Sequence, residues 1–183
     1  KRFRLKPLPK HLWRFAKLRP VNFPSVRIAQ FCALMYQSER LFSEILDQPT
    51  LHQLRKFFDV QTSEYWDTHY AFHKSGPFRA KRLGEDAFHT LVINTVVPFL
   101  FIYGQVQDKP QFKERALDLL LETGPEKNSI LTHWKELGIH IPNAYNSQAL
   151  IELKNSYCNQ HRCLDCQIGN QILNRPQRQG YPL

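Results

Sequence analysis

Along most of the 183-residue chain the apolar side chains recur three or four positions apart, and no stretch alternates convincingly with a period of two. That spacing suits amphipathic helices and leaves no half-buried strand, so the expected fold class is all-α. Prolines and glycines then mark where helices stop. Pro7, Pro9 and Pro20 exclude a continuous helix at the start, leaving an extended arm in which His11 to Leu18 has room for two turns and Trp13 and Phe15 act as anchors. Pro24 opens a helix over about 24–46, with Ile28, Phe31, Cys32, Met35, Phe42, Ile45 and Leu46 at core-facing spacing. Asp47 to Thr50 breaks it, and Thr50 caps a short helix carrying Leu51, Leu54, Phe57 and Phe58. Glu85 begins a helix to Tyr103 that Pro98 must kink or divide, with Asn94 placed to satisfy a freed carbonyl and Gly104 ending it. Further helices are expected over Pro110 to Glu122, closed by Gly124; from Pro125-Glu126 to Gly138; from Asn146 or Ser147 to Tyr157; and around Leu164 to Leu173. The expectation is one helical domain of seven or eight helices over residues 24–174, an extended basic arm over 1–23 packed on it, and a frayed tail over 175–183.

Hydrophobic residues make up 42% of the chain and aromatic residues 13%, which supports a packed core and excludes a disordered tail. No apolar run approaches the ~18 residues of a membrane span. The longest, Leu91 to Tyr103, is interrupted by Asn94, Thr95 and Pro98, and reads as a core helix with no membrane partner. The basic N-terminus is followed by no apolar segment of the kind a secretion signal needs, which points to a cytoplasmic, reducing location. The chain begins at Lys1 without methionine, so an upstream segment of the same protein is an expected partner.

Charge is the most uneven property. Nine basic residues (Lys1, Arg2, Arg4, Lys6, Lys10, Arg14, Lys17, Arg19, Arg27) and no acid fall within the first thirty, while the remaining basic residues balance the sixteen acids, so the net +9 resides in that block. Such a block attracts a polyanion or a negatively charged partner, or else remains a solvated arm. Arg79, Lys81 and Arg82 form a second basic group, and together the two give a nucleic-acid-binding reading its support. No helix-turn-helix or other nucleic-acid module accompanies them.

Three of the four cysteines lie in Tyr157-Cys158-Asn159-Gln160-His161-Arg162-Cys163-Leu164-Asp165-Cys166-Gln167-Ile168-Gly169. Four cysteines are too few for a disulfide scaffold. Cys163 and Cys166, at i and i+3, suit one ion from the first turn of a helix, and Cys158 closes the site from the preceding helix. His161 is the nearest fourth donor for a structural zinc ion, with Cys32, a distant histidine or water as alternatives. Three cysteines also suit an iron–sulfur cluster with one open iron, and the alternative to any metal is three reduced thiols that pack.

Two other sets carry chemistry. Arg19, Asn22, Arg27 and Gln30 gather at one helix start, where two arginines can receive phosphate or carboxylate or can tie the arm to the body. Trp66, His69, Tyr70 and His73 share one face if that segment is helical, and His69 and His73 then have the spacing of two metal ligands, with Asp67 or Glu64 as further donors. No glutamate follows His69 as a metalloprotease motif requires, and the simpler reading is a core-facing aromatic rib with His69 hydrogen-bonded and His73 exposed. No catalytic residue is assigned, because no Ser/His/Asp set, phosphate loop or carboxylate pair is present.

Several strings together resemble a bacterial family of uncharacterised proteins, domain of unknown function 2851. They are Arg19-Pro20-Val21-Asn22-Phe23-Pro24-Ser25-Val26-Arg27-Ile28-Ala29-Gln30, Tyr65-Trp66 with His69-Tyr70, Ile93-Asn94-Thr95-Val96-Val97-Pro98-Phe99-Leu100, Glu126-Lys127-Asn128-Ser129, Ser147-Gln148-Ala149-Leu150 and the segment 157–169. The likeness runs nearly the whole length. Members are about twice as long, so it implies the C-terminal half of such a protein, with any catalysis seated upstream. It implies no activity. The expected role is a structural or accessory helical module pinned by its cysteine segment, with nucleic-acid binding as the alternative and an enzyme third.

Overall fold

The computed structural model describes residues 6, 8–19 and 22–174. Lys1, Arg2, Arg4, Pro7, Pro20 and the tail 175–183 lie outside the described residues. The fold is mostly helical, as the periodicity requires, with one two-stranded sheet. The chain divides into two compact units, Lys1–Leu91 and Val92–Leu183, where a single helical body was expected.

The first unit opens with a 3₁₀ turn, Lys10–Leu12. Helix α1 (Pro24–Gln37) starts on Pro24, whose fixed φ suits the first turn. It stops at Ser38, which is extended and buried, so the helix expected to run to residue 46 is two: α1 and α2 (Leu41–Asp47). Helix α3 (Leu51–Phe57) carries the Thr50–Gln53 capping box, as Thr50 promised. A single turn, α4 (Glu64–Asp67), leads into a hairpin of β1 (His69–Ala71) and β2 (Lys74–Ser75), with His69 opposite Ser75 and an irregularity between His69 and Ala71. Helix α5 (Glu85–Leu91) closes the unit. Its core is Val26, Ala29, Leu34, Leu54, Phe58, Val60 and Phe88. Arg55 ties α3 to the start of α5, donating from Nε to Glu85 at 2.6 Å and from Nη2 to the Leu83 carbonyl at 3.0 Å, with its guanidinium 5.3 Å from the Phe88 ring centre.

The second unit opens with a π turn, Val92–Val96, followed directly by α6 (Val97–Val106). The extra residue of the π turn resolves the proline. Pro98 falls in the first turn of α6, directly behind the π turn, and Val96 keeps helical φ and ψ, so the helical run continues past the proline instead of dividing there. Asn94 is exposed within that turn. Gly104 does not end the helix. It is buried inside α6, where a Cβ would stand 2.9 Å from the Lys109 carbonyl and 3.0 Å from the Lys113 nitrogen, so its bareness lets α7 (Pro110–Glu122) fold back at close range. Thr123, in extended conformation, terminates α7 ahead of Gly124. Helix α8 (Ser129–Glu136) is capped by Asn128 rather than begun at Pro125, and Gly138, at φ 82°, ends it as expected. Helix α9 (Ala144–Leu153) is capped by Asn143, not by Asn146 or Ser147. Buried Ser147 instead accepts from the Glu126 backbone at 3.2 Å, which fixes the loop before α8 onto α9. A second π turn, Lys154–Cys158, and α10 (Gln167–Leu173) complete the described residues.

Helical residues Glu85–Val106 are long and apolar enough to cross a membrane by length and composition, with 39% of the apolar window buried inside the protein. Phe88, Val92, Ile93, Val96 and Leu100 are buried, as core residues are.

Candidate functional site

The polar residues at the start of α1 form a network. Arg27 donates to the side-chain oxygens of Asn22 at 2.5 Å and Gln30 at 2.8 Å, and Gln30 Nε2 donates to the Lys81 carbonyl at 2.9 Å. Burial holds the Arg27 guanidinium below its ordinary pKa. Arg19 is exposed and enters only through its carbonyl, which accepts from the Asn22 backbone at 2.8 Å. Three of the four residues expected to form an anion site are therefore bonded to one another, and through Gln30 they tie α1 to the segment around Lys81.

Lys81 does not stand on the surface with Arg79 and Arg82. It is 4% exposed. Its ammonium donates to the carbonyls of Arg79 at 2.6 Å and Asp67 at 3.1 Å and lies 4.0 Å from the Tyr70 ring centre. Arg82 is exposed but bonded to Asp59 at 3.1 Å. The expected basic patch is reduced to Arg79 and a paired Arg82. Two buried side-chain oxygens nearby in sequence lack partners, Asp67 Oδ1 and Thr62 Oγ1.

The aromatic and histidine set does not share a helical face, because the helix ends at Asp67 and the hairpin takes over. His73, at φ 61°, sits in the two-residue turn between the strands. Its backbone N–H donates to the Tyr65 hydroxyl at 3.3 Å. His69 Nδ1 lies 2.8 Å from the Tyr65 carbonyl, which can only accept, so that nitrogen carries the proton, and the imidazole stacks on the Tyr65 ring at 4.0 Å. His69 is hydrogen-bonded and His73 exposed, as the simpler reading expected, but the rib is not core-facing: Trp66 and Phe72 line an open groove instead.

Helix α1 brings the largest departure from the periodicity. Its buried face is Ser25, Val26, Ala29, Gln30 and Leu34, whereas Ile28, Phe31, Cys32 and Met35, expected in the core, are exposed. Part of that outward stripe borders an open groove of about 1740 Å³ confined to the first unit. Ile28, Cys32 and Tyr36 of α1 line it, with Trp13 and Phe15 from the arm and Trp66 and Phe72 from the α4–hairpin region. Among the described residues no lining residue is acidic, and Lys74 and His73 are part of the lining. Tyr36, 94% exposed, was not singled out by the spacing. A signal was nevertheless present, since α1 carries apolar residues on two faces, which calls for two partners.

In the cysteine segment, Cys158 ends the π turn and is exposed, as is Cys163; Cys166 is half-buried. His161, at φ 54°, occupies the left-handed position of a helix-ending motif. Arg162 N–H donates to the Tyr157 carbonyl at 3.0 Å and His161 N–H to the Cys158 carbonyl at 3.2 Å. Arg162 then lies over the Tyr157 ring at 5.2 Å and bonds Asp165 at 3.0 Å. Among the described residues no group of three or more His, Cys, Asp or Glu side chains is gathered as metal ligands.

No curated protein and no solved structure matches the chain. The strings at 147–150 and 157–169 lie beyond the stretch matched by a family model, which covers residues 1–129 and so takes in the whole first unit with its groove and polar network. On that match the chain belongs to the family described as protein of unknown function DUF2851.

Proposed function

We propose that the chain is an accessory binding module, and that the groove of the first unit receives an amphipathic helix of a protein partner bearing an apolar face flanked by acidic residues. One observation carries the reading: α1 turns a stripe of Ile28, Phe31, Cys32 and Met35 outward, and its Ile28 and Cys32 line a groove together with aromatic residues. Contiguous exposed apolar surface of this kind marks an interaction site. Charge selects the occupant. Among the described residues the lining contains Lys74 and no acid, and the arm that supplies Trp13 and Phe15 also carries exposed Arg14, Lys17 and Arg19. Acidic flanks on the docked helix complement that rim. The preceding half of a longer protein of this family is the source we favour.

The probe is a synthetic helix with a leucine face and glutamate flanks, beside a counterpart with lysine flanks. Ile28→Ser and Tyr36→Ser alter exposed side chains and leave the core of the unit intact. The glutamate-flanked helix should bind, each substitution should weaken it about tenfold or more (~1.4 kcal/mol), and the lysine-flanked helix should bind far less. Equal binding of both helices, or indifference to both substitutions, would overturn the reading. The nucleic-acid alternative keeps the basic arm as its support but no longer the ammonium of Lys81, which is spent on two backbone carbonyls.

A further inference from the structure

Cys163 and Cys166 are separated by a turn. The Cys166 N–H reaches the Cys163 carbonyl at 3.4 Å. Four-residue turns hold their end Cα atoms within about 7 Å, and disulfides span Cα separations of roughly 4.4–6.8 Å. A second constraint acts on the same pair. Gly169, in the first turn of α10, lies so close to Cys163 that a Cβ there would overlap its carbonyl oxygen and stand 3.0 Å from its Cα. Cys166 occupies the position that caps the same helix. Both cysteines are thus held at one helix start, one by its place in the chain and the other by a glycine that leaves room for its backbone.

We propose that Cys163 and Cys166 form a redox dithiol that exchanges with low-molecular-weight disulfides and closes to an intrachain disulfide. Cys163 is the more exposed and reacts first. Its thiolate attacks one sulfur of a disulfide such as oxidised glutathione, forming a mixed disulfide and expelling one glutathione thiolate. The Cys166 thiolate then attacks Cys163 Sγ, forming the intrachain bond and expelling the second. Two electrons pass to the oxidant, and the two thiol protons pass through solvent to the two departing thiolates. This reaction needs only two sulfurs. Cys158, on the far side of the left-handed turn at His161, stays out of the pair.

The test equilibrates the whole chain in glutathione buffers of graded ratio, quenches with an alkylating reagent and reads intact mass and mapped peptides. The expected product is a Cys163–Cys166 linkage with two fewer alkylated thiols, unchanged in Cys32→Ser and Cys158→Ser. Cys166→Ser should stop at a mixed disulfide on Cys163. Gly169→Ala, which must push Cys163 off α10, should shift the equilibrium toward the dithiol by about tenfold, ~30 mV for a two-electron couple. Independent alkylation of the two cysteines at every ratio, a linkage through Cys158 instead, or zinc retained by the purified chain and protecting both thiols would overturn the proposal.

Discussion

Lys81 places an ammonium in the interior of the first unit with two backbone carbonyls and the face of Tyr70 as its partners, and no carboxylate among its bonds. A charge so placed is costly to bury; without it the Arg79 carbonyl loses its 2.6 Å donor, whereas the Asp67 carbonyl keeps the Arg79 N–H at 2.7 Å. Those carbonyls belong to Asp67 and Arg79, so the side chain staples the end of α4 to the segment leading into α5. Gln30 bonds the Lys81 carbonyl, which extends the staple to α1. Lys81→Met retains the length and apolar stem but removes the donor. We expect it to destabilise the first unit by about 2–4 kcal/mol; Arg82→Ala, which breaks only the exposed pair with Asp59, should cost no more than ~1 kcal/mol. Urea unfolding of both variants checks this. A cost for Lys81→Met no larger than that for Arg82→Ala would mean the Arg79 carbonyl finds another donor.

At the scale of elements, the turn between α6 and α7 rests on Gly104. The neighbours a new Cβ would meet are chiefly backbone atoms of Lys109 and Lys113, which cannot swing aside as a side-chain tip can. Gly104→Ala gains the helix propensity of alanine, worth ~1 kcal/mol, and must open the helix pair to do so. Overpacking at this range costs ~1–3 kcal/mol, so we expect a net loss of up to about 2 kcal/mol in thermal or urea unfolding, where propensity alone predicts a gain. A rise in stability would show that α7 can move out freely. The same glycine illustrates what the sequence made legible. Helix class, the cap at Thr50, the start at Pro24 and the stop at Gly138 follow from local chemistry and stand. Gly104 was misread because a glycine late in an apolar run suits a helix end and a close helix crossing equally well. The hairpin was hidden for a related reason: Trp66, His69, Tyr70 and His73 carry helical spacing by accident of a four-residue turn followed by strands, and His73 takes a left-handed conformation that glycine or asparagine would have advertised. Ser38 stops α1 without proline or glycine, through burial that only tertiary packing reveals. In the candidate site the residues of α1 were legible, but which of its two apolar faces would be covered was not, because that depends on long-range neighbours.

The whole molecule carries a net charge of +9, all of it traceable to the first thirty residues, and that asymmetry separates the two binding readings by their response to salt. A chain that holds nucleic acid through such a block releases counterions in proportion to the phosphates it neutralises. With six or more contacts, affinity falls by roughly 10³–10⁵ between 50 and 200 mM salt. A helix docked in the groove gains most from apolar burial, which salt leaves intact, and only its acidic flanks are screened. Titrating the intact chain with a short mixed-sequence DNA duplex and with the glutamate-flanked helix, over that same salt range, therefore gives two slopes. We expect the helix to lose no more than about tenfold, because rim pairs contribute chiefly to the rate of association. Any DNA binding should decline steeply and should not respond to Ile28→Ser or Tyr36→Ser. Loss of helix binding with the steepness of a polyanion would assign the affinity to the arm alone, leave the outward stripe of α1 without an occupant, and overturn the groove as the seat of function.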